Sequence, residues 1–311
     1  MVREITLLIA DKGGKNLLVA GGMGSRGIQL IDMSGDGKDC ATPNDIDDVI
    51  NPWFPTPNLM TADGEPFFCA GRTVDFFGVE HNICKTFDKD AKDWLSTTDY
   101  LYGDGAYGVP FGDGSYWIVG GTGGPNNSHC YNGDGTITNG PDIPDDSLYN
   151  CALQISDDET LIINKVAYVY SHSSKIWTQL GEYDLADGTM PKSWKFPVCG
   201  LTLDLYGNPK YAVVAGGRFH GRNTLMLDVE TRQWMHGPDL PYSLWSAATV
   251  QYRNGFLVTG GVSPMNGEHI WTKAIIEFDP LAVDWIIRDE ELKTPKFFHY
   301  AIMLDESVFT C

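Results

Sequence analysis

What most restricts this chain is a self-similarity running nearly its whole length. A β-rich run ending in a pair of small residues recurs as LLVAGG (Gly21, Gly22), FFCAGR (Gly71, Arg72), WIVGG (Gly120, Gly121), LIINK (Asn164, Lys165), AVVAGG (Gly216, Gly217) and FLVTGG (Gly260, Gly261). The steps between first members are 50, 49, 44, 52 and 44 residues. After each run comes a second apolar strand. In four units a Trp follows that strand's terminal Asp or Ser by six positions: Asp88 and Trp94, Ser171 and Trp177, Asp228 and Trp234, Asp279 and Trp285. A repeat of this length is a supersecondary unit that buries its core only against its neighbours, so it sets the architecture ahead of any single motif.

Each unit is preceded by another alternating run, as in SAATVQYRNGFLVTGG, where Arg253-Asn254-Gly255 marks a hairpin. Four strands per unit follow. The glycine pair lets the backbone turn away where a Cβ does not fit, and the Trp on the fourth strand is large enough to fill the wedge between neighbouring sheets. Composition agrees: 35 Gly, 17 Pro, 14 Tyr, 14 Phe and 9 Trp supply turn and strand formers and leave few helix-favouring runs.

These residues resemble the kelch repeat from Leu17 to about Tyr300. The resemblance implies an all-β fold, a six-bladed kelch-type β-propeller with four antiparallel strands per blade, filling residues 1–311 as one domain. The expected blades are 1–50, 56–100, 106–144, 148–182, 196–240 and 244–292, with a closing segment at 296–311. The fourth unit departs from the pattern with Asn164 and Lys165 in place of glycines, and the first and third lack the Trp. The segment around 298–304 is surplus and is expected to close the ring against the N-terminal blade, since an open ring exposes a sheet edge. A partial seventh blade is the alternative.

Charge removes several functions. With 22 Lys plus Arg against 41 Asp plus Glu the formal net charge is −19, a field that repels phosphate backbones and anionic lipid. Nucleic-acid binding is therefore not expected. Nor is membrane insertion, because the longest apolar run near the start, 5–10, falls far short of the about 18 residues a spanning helix requires. The seven cysteines contain no CxxC pair, which argues against a zinc finger. Cys69 ends the second strand of its unit and Cys84 lies in the third, so antiparallel pairing sets them opposite each other at disulfide distance. Two buried thiols are the other reading. Cys40 and the terminal Cys311 are candidates for a second bridge that staples the ring.

The segments DCATPND, FFCAG and NICKTF also resemble secreted, extracellular kelch proteins of arthropods, which implies a secreted protein with a few disulfides. Asn126-Asn127-Ser128 is an N-glycosylation sequon in an expected loop, so Asn126 is the candidate glycan site.

A propeller fold does not decide function, so the site must. A copper radical oxidase requires a Cys and Tyr for a cross-link plus two His and an axial Tyr, and no local motif orders those residues here. The sialidase Asp box, the GxSxG elbow and the HExxH helix are absent. His81, His129, His220 and His269 are expected in loops joining second and third strands, separated around the ring, with local hydrogen bonding rather than metal binding as their role. The NGDGTI run echoes a calcium loop but lacks its bidentate Glu, and Asp-Gly is a common turn. No cofactor and no metal is expected.

The arginines say more. Of eight in the chain, Arg26, Arg72, Arg218 and Arg222 fall in the loop class directly after the glycine pair, and Lys165 replaces a glycine there. By resemblance to kelch propellers that capture acidic peptides, this cationic patch suits a carboxylate or sulfate through bidentate contacts. Salt bridging to nearby acidic loops is the alternative. The reading is a non-enzymatic extracellular propeller that binds a protein or glycan partner, with self-assembly possible in principle for such a module. An enzyme with a site at the channel mouth, copper-radical-oxidase-like or glycan-active, and an intracellular kelch adaptor are the rivals.

Overall fold

The computed structural model describes residues 16–23, 27–35, 59–60, 66–69, 73–74, 80–81, 83–88, 93–99, 107–110, 115–120, 128–132, 136–144, 151–163, 166–181, 194–265 and 268–304. Among them there is no helix, so none long and apolar enough to cross a membrane. The first strands described are β1 (Asn16–Ala20) and β2 (Gln29–Asp32). Next come β3 (Leu59–Met60) and β4 (Pro66–Cys69), a small hairpin of β5 (Thr73–Val74) and β6 (Glu80–His81), then β7 (Ile83–Asp88) and β8 (Asp93–Asp99). The following unit holds β9 (Tyr107–Pro110), β10 (Tyr116–Val119), β11 (Ser128–Tyr131) and β12 (Ile137–Asn139). Then come β13 (Cys151–Gln154), β14 (Glu159–Ile163), β15 (Ala167–Ser171) and β16 (Ile176–Gln179), and β17 (Val198–Leu203), β18 (Pro209–Ala215), β19 (Thr224–Asp228) and β20 (Trp234–His236). A further unit has β21 (Ala248–Tyr252), β22 (Gly255–Thr259), an inserted hairpin of β23 (Val262–Met265) and β24 (Glu268–Trp271), then β25 (Ala274–Asp279) and β26 (Asp284–Glu291), and β27 (Tyr300–Leu304) follows it.

Every pairing is antiparallel. The four-stranded sheets are β3-β4-β7-β8, β9-β10-β11-β12, β13-β14-β15-β16, β17-β18-β19-β20 and β21-β22-β25-β26. These are five complete blades, which corrects the expected six. A further sheet, β2-β1-β27, has three strands, because β27 pairs with β1 in the register Asn16 with Leu304 to Ala20 with Tyr300. No fourth strand joins it among the described residues.

The seating of the repeat Trp is visible in β26. Trp285 is buried, packs edge-on against Phe256 and Phe278, and donates its indole N–H to the Pro238 carbonyl at 3.0 Å in the preceding blade. Trp177 likewise lies 5.9 Å from Trp117 of the blade before it, and Trp234 packs on the cluster that contains Leu161 and Val169. The core is thus a set of wedges between consecutive sheets rather than one central mass. One joins the 107–139 and 151–179 sheets, another the 151–179 and 198–236 sheets, and the next the 198–236 and 248–291 sheets. The last described wedge joins the 248–291 sheet to β1, β2 and β27.

The fixed six-residue spacing before each Trp has a cause in the turn it spans. Asp228 accepts the Thr231 amide at 2.7 Å on its side chain and the Arg232 amide at 2.9 Å on its carbonyl. That closes a turn whose last residue, Arg232, is left-handed at φ 60°, and Lys175 and Val283 take the same conformation at 59° and 50°. The glycine pair has a matching cause at the other end of the sheet. Gly216 and Gly260 have φ of 62° and 58°, and a Cβ on either would collide with the carbonyl of Leu244 or of Lys296 in the next unit. The pair is where one unit receives the backbone of the next.

Candidate functional site

That received backbone is a four-residue lead-in to the first strand of each unit: Trp194-Lys195-Phe196-Pro197, Leu244-Trp245-Ser246-Ala247 and Lys296-Phe297-Phe298-His299. It is held three ways. The second glycine of the preceding unit donates to its first carbonyl, Gly217 to Leu244 at 2.9 Å and Gly261 to Lys296 at 2.7 Å. The residue after the unit's own glycine pair bonds its second carbonyl, Arg218 to Lys195 at 2.9 Å, Val262 to Trp245 at 2.8 Å and Met23 to Phe297 at 2.9 Å. Finally the third residues bond in series, Ser246 donating to Phe196 at 3.1 Å and Phe298 to Ser246 at 2.9 Å.

These third residues are all left-handed without being glycine. Phe196, Ser246 and Phe298 have φ of 55°, 57° and 50°. Bulky residues are rarely found there, each costs about 1 to 3 kcal/mol, and such strain concentrates at ligand sites. The strained backbone brings together an aromatic group from three consecutive units. Ring centroids are 4.8 Å apart for Phe196 and Phe298, 6.0 Å for Phe196 and Trp245, and 6.1 Å for Trp245 and Phe298. The β23–β24 hairpin adds His269, edge-on to Trp245 at 5.8 Å, and Trp271, 46% exposed and 5.0 Å from Phe297. The Ser246 hydroxyl is buried at the centre of this series with no hydrogen-bond partner among the described residues.

Arg218 stands at the edge. Its guanidinium lies 5.9 Å from the Trp245 ring and 5.9 Å from that of Phe219, which is 56% exposed. It is exposed and has no carboxylate partner among the described residues, unlike Arg232, paired with Glu159 at 2.6 Å, and Arg288, paired with Glu277 and Glu290 at 2.8 and 2.9 Å. An exposed cation next to the exposed Phe219 ring and the half-buried Trp245 ring suits a ligand that offers an anionic group beside a flat apolar face.

Two polar residues lie behind this surface. Lys296 and His299 occupy lead-in positions filled by Trp194 and Leu244, and by Pro197 and Ala247, in the other units. Lys296 is fully buried and donates to the Gly21 carbonyl at 3.0 Å. His299 shares a 2.8 Å hydrogen bond with Thr259, and its other ring nitrogen has no partner among the described residues. Burial, assisted by the Lys296 charge, pushes His299 down to about 3, so it is neutral at physiological pH. Burial also raises the Tyr107 phenol, whose hydroxyl reaches the Pro197 carbonyl at 3.5 Å.

Of the sequence candidates, the structure places Arg218 in this group and separates Arg222 from it in role, since the Arg222 side chain donates to the Leu240 carbonyl. Arg26, Arg72 and Lys165 lie outside the described residues, as do Asn126, Cys40 and Cys311. The backbone register sets Cys69 opposite Cys84, and their side chains are outside the described residues. His220 is in the expected loop, buried against Trp194 at 4.2 Å, whereas His129 lies within β11 and His81 and His269 on the strands of the inserted hairpins. Ser128 of the sequon is buried and donates its hydroxyl to the Pro141 carbonyl at 2.6 Å. No three His, Cys, Asp or Glu side chains among the described residues gather as a metal cage.

Sequence reasoning missed the lead-in segments and one disulfide. Cys151 and Cys199 are bonded, with Cα atoms 6.1 Å apart, and join the first strands of neighbouring blades. Their pairing depends on ring geometry that no local spacing records.

No family model matches the chain, and no curated protein matches it. Among solved structures it is similar to one titled "Structure of YjhT", with a TM-score of 0.66 at 11% identity, covering 84% of this chain and 91% of that one. At that identity the likeness is one of fold, and together with the radial wedges between consecutive antiparallel sheets it makes this chain a β-propeller.

Proposed function

We propose that the protein is a non-enzymatic binding propeller that acts outside the cell and presents its lead-in face to the anionic group of a protein or glycan partner. The observation that carries this reading is Arg218, an exposed arginine without a carboxylate partner among the described residues, set against Trp245 in a chain of net charge −19. Among the described residues its side chain is committed to no carboxylate or carbonyl, and it stands beside Trp245 and the exposed Phe219, which favours a ligand there. The strained positions at Phe196, Ser246 and Phe298 support the same face.

The kelch resemblance extends the reading. The pairing of β27 with β1 is then the closure of the ring, a reading supported by the packing of β27 against β4. The Cys151–Cys199 bond favours an oxidising compartment, consistent with secretion, a glycan on Asn126 and further bridges at Cys69–Cys84 and Cys40–Cys311.

Calorimetric titration with a sulfated hexasaccharide and with a hexaglutamate peptide tests the face. At least one probe binds, and Arg218→Ala weakens it tenfold or more, about 1.4 kcal/mol, just below the about 1.5 to 3 kcal/mol of a charge-assisted contact because the side chain is exposed. Arg222→Ala, whose side chain is committed to Leu240, leaves binding within twofold. Equal affinity of wild type and Arg218→Ala for both probes defeats the proposal.

A further inference from the structure

The opposite ends of the sheets carry the turns between first and second and between third and fourth strands. In most described units these turns are polar: Ser156-Asp157-Asp158 and Arg253-Asn254 in the first class, 172–175 (His-Ser-Ser-Lys) and 229–233 (Val-Glu-Thr-Arg-Gln) in the second. Two depart. The β17–β18 turn presents Leu205 and Tyr206, 83% and 91% exposed, and the β25–β26 turn presents Pro280 and Leu281, the latter 80% exposed. Although they belong to different classes and different blades, they meet. Leu203 donates to the Asn254 carbonyl at 2.8 Å, and Leu203, Leu205, Tyr206, Lys210, Pro280 and Leu281 line one cavity of about 260 Å³.

None of the apolar side chains is needed by its turn. Asp204 holds the first, accepting the amides of Tyr206 and Asn208 at 2.8 and 2.9 Å, with Gly207 left-handed at φ 86°. Asp279 holds the second by accepting the Leu281 amide at 2.8 Å. Val283 in that turn is β-branched, 43% exposed and left-handed at 50°, where the equivalent residues are Lys175 and Arg232. A large exposed apolar side chain repeated across two adjacent turns, in an array whose other turns show that polar residues serve, marks a contact surface. Its rim is anionic. Asp204 lies in the cavity wall and Asp279 beside Leu281, with Asp284 paired across the turn. Amide and side-chain donors hold Asp204 below the usual carboxylate range. Of the two nearby cations, Lys210 faces Asp228 and lies over Tyr211 at 5.1 Å, and Arg253 lies over Tyr252 at 4.9 Å.

We infer that this cavity docks a basic segment of another protein, which inserts one aliphatic or aromatic anchor between Leu205, Tyr206 and Leu281 while flanking cations meet Asp204 and Asp279. A second copy of this chain is a poor occupant, because its own net charge of −19 opposes the approach. The site is independent of Arg218, which lies at the other end of the sheets.

The test uses the whole chain and three fluorescein-labelled peptides, Lys-Lys-Leu-Phe-Lys-Lys, Lys-Lys-Ser-Ser-Lys-Lys and Glu-Glu-Leu-Phe-Glu-Glu, read by anisotropy. The first is expected to bind at least tenfold more tightly than either other, and the Leu205→Ser, Leu281→Ser double variant, which removes only exposed side chains, to lose that advantage while keeping the wild-type circular dichroism. Arg218→Ala is expected to bind the first peptide as wild type does. Absence of binding, equal binding of the Ser-Ser peptide, or an unchanged affinity in the double variant overturns the inference. So does a dimer in sedimentation that the double variant abolishes.

Discussion

Replacing Gly260 by Ala separates two costs that a glycine repeat usually confounds. Gly260 and Gly207 are both left-handed, at φ 58° and 86°, but a Cβ on Gly207 meets nothing within 4 Å whereas one on Gly260 meets the Lys296 carbonyl, His299 Cε1 at 2.8 Å and Leu292 Cδ1 at 3.2 Å. Gly207→Ala therefore incurs only the conformational cost of about 1 to 2 kcal/mol. Gly260→Ala incurs the same cost and must also push back the lead-in segment, which weakens the 2.7 Å bond from Gly261 to Lys296 and adds about 1 kcal/mol or more. A loss of about 2 to 4 kcal/mol is expected for Gly260→Ala, at least 1 kcal/mol beyond Gly207→Ala. Equilibrium urea unfolding measures both, with unfolding rates in place of midpoints where refolding is incomplete. Equal destabilisation by the two substitutions would refute the idea that the glycine pair exists to receive the next unit.

Two further outcomes follow from buried groups. His299 is depressed to about 3 from its ordinary 6.5, so above pH 6.5 it is neutral folded or unfolded and contributes nothing to pH dependence; as pH falls from about 6.5 towards 3 only the unfolded chain takes the proton, and stability drops by up to about 1.4 kcal/mol per pH unit. Urea midpoints between pH 7 and 4.5 should therefore fall less steeply in His299→Gln than in wild type. Cys151→Ser should cost about 4 kcal/mol in the chain-entropy description of a 48-residue separation, and alkylation of unreduced protein should leave both Cys151 and Cys199 unmodified.

The parts of the fold that demand a particular residue type were legible in the sequence. The Asp-to-Trp spacing reports a turn closed by Asp228 or Asp279, and the paired glycines report the close approach of the next unit. Parts made between units by backbone groups alone were not. The lead-in has no consensus, as Trp194-Lys195-Phe196, Leu244-Trp245-Ser246 and Lys296-Phe297-Phe298 show, since backbone groups make its bonds and any side chain tolerates them. Its left-handed residues carry no glycine to announce them. Among the cations, loop class groups Arg218 with Arg222 and does not record their difference, which depends on whether a carbonyl such as that of Leu240 lies within reach. The inserted hairpin that carries His269 and Trp271 reads in sequence as loop, being short, with all four residues of β24 exposed and hence without alternation.

Ser246 tests whether the lead-in face is maintained against stability. Its φ of 57° is one that glycine adopts freely, and its buried hydroxyl has no partner among the described residues. Ser246→Gly relieves about 1 to 2 kcal/mol of left-handed strain and removes an unsatisfied polar group worth about 1 to 3 kcal/mol, against the roughly 1 kcal/mol that glycine's unfolded-state freedom costs. The bonds that the residue makes through its backbone, to Phe196 at 3.1 Å and from Phe298 at 2.9 Å, are available to glycine equally. The variant should therefore be more stable than wild type by about 1 kcal/mol or more, read as a higher urea midpoint with an unchanged slope. A neutral scaffold gains nothing from the strained serine, whereas a binding face does if a residue of restricted conformation there holds Trp245 and Phe298 in place. The same variant should then bind the probe that Arg218 recognises at least threefold more weakly. A destabilised Ser246→Gly would mean that the hydroxyl already has a partner in the folded chain, and a stabilised variant with unchanged affinity would move the binding surface away from the lead-in series.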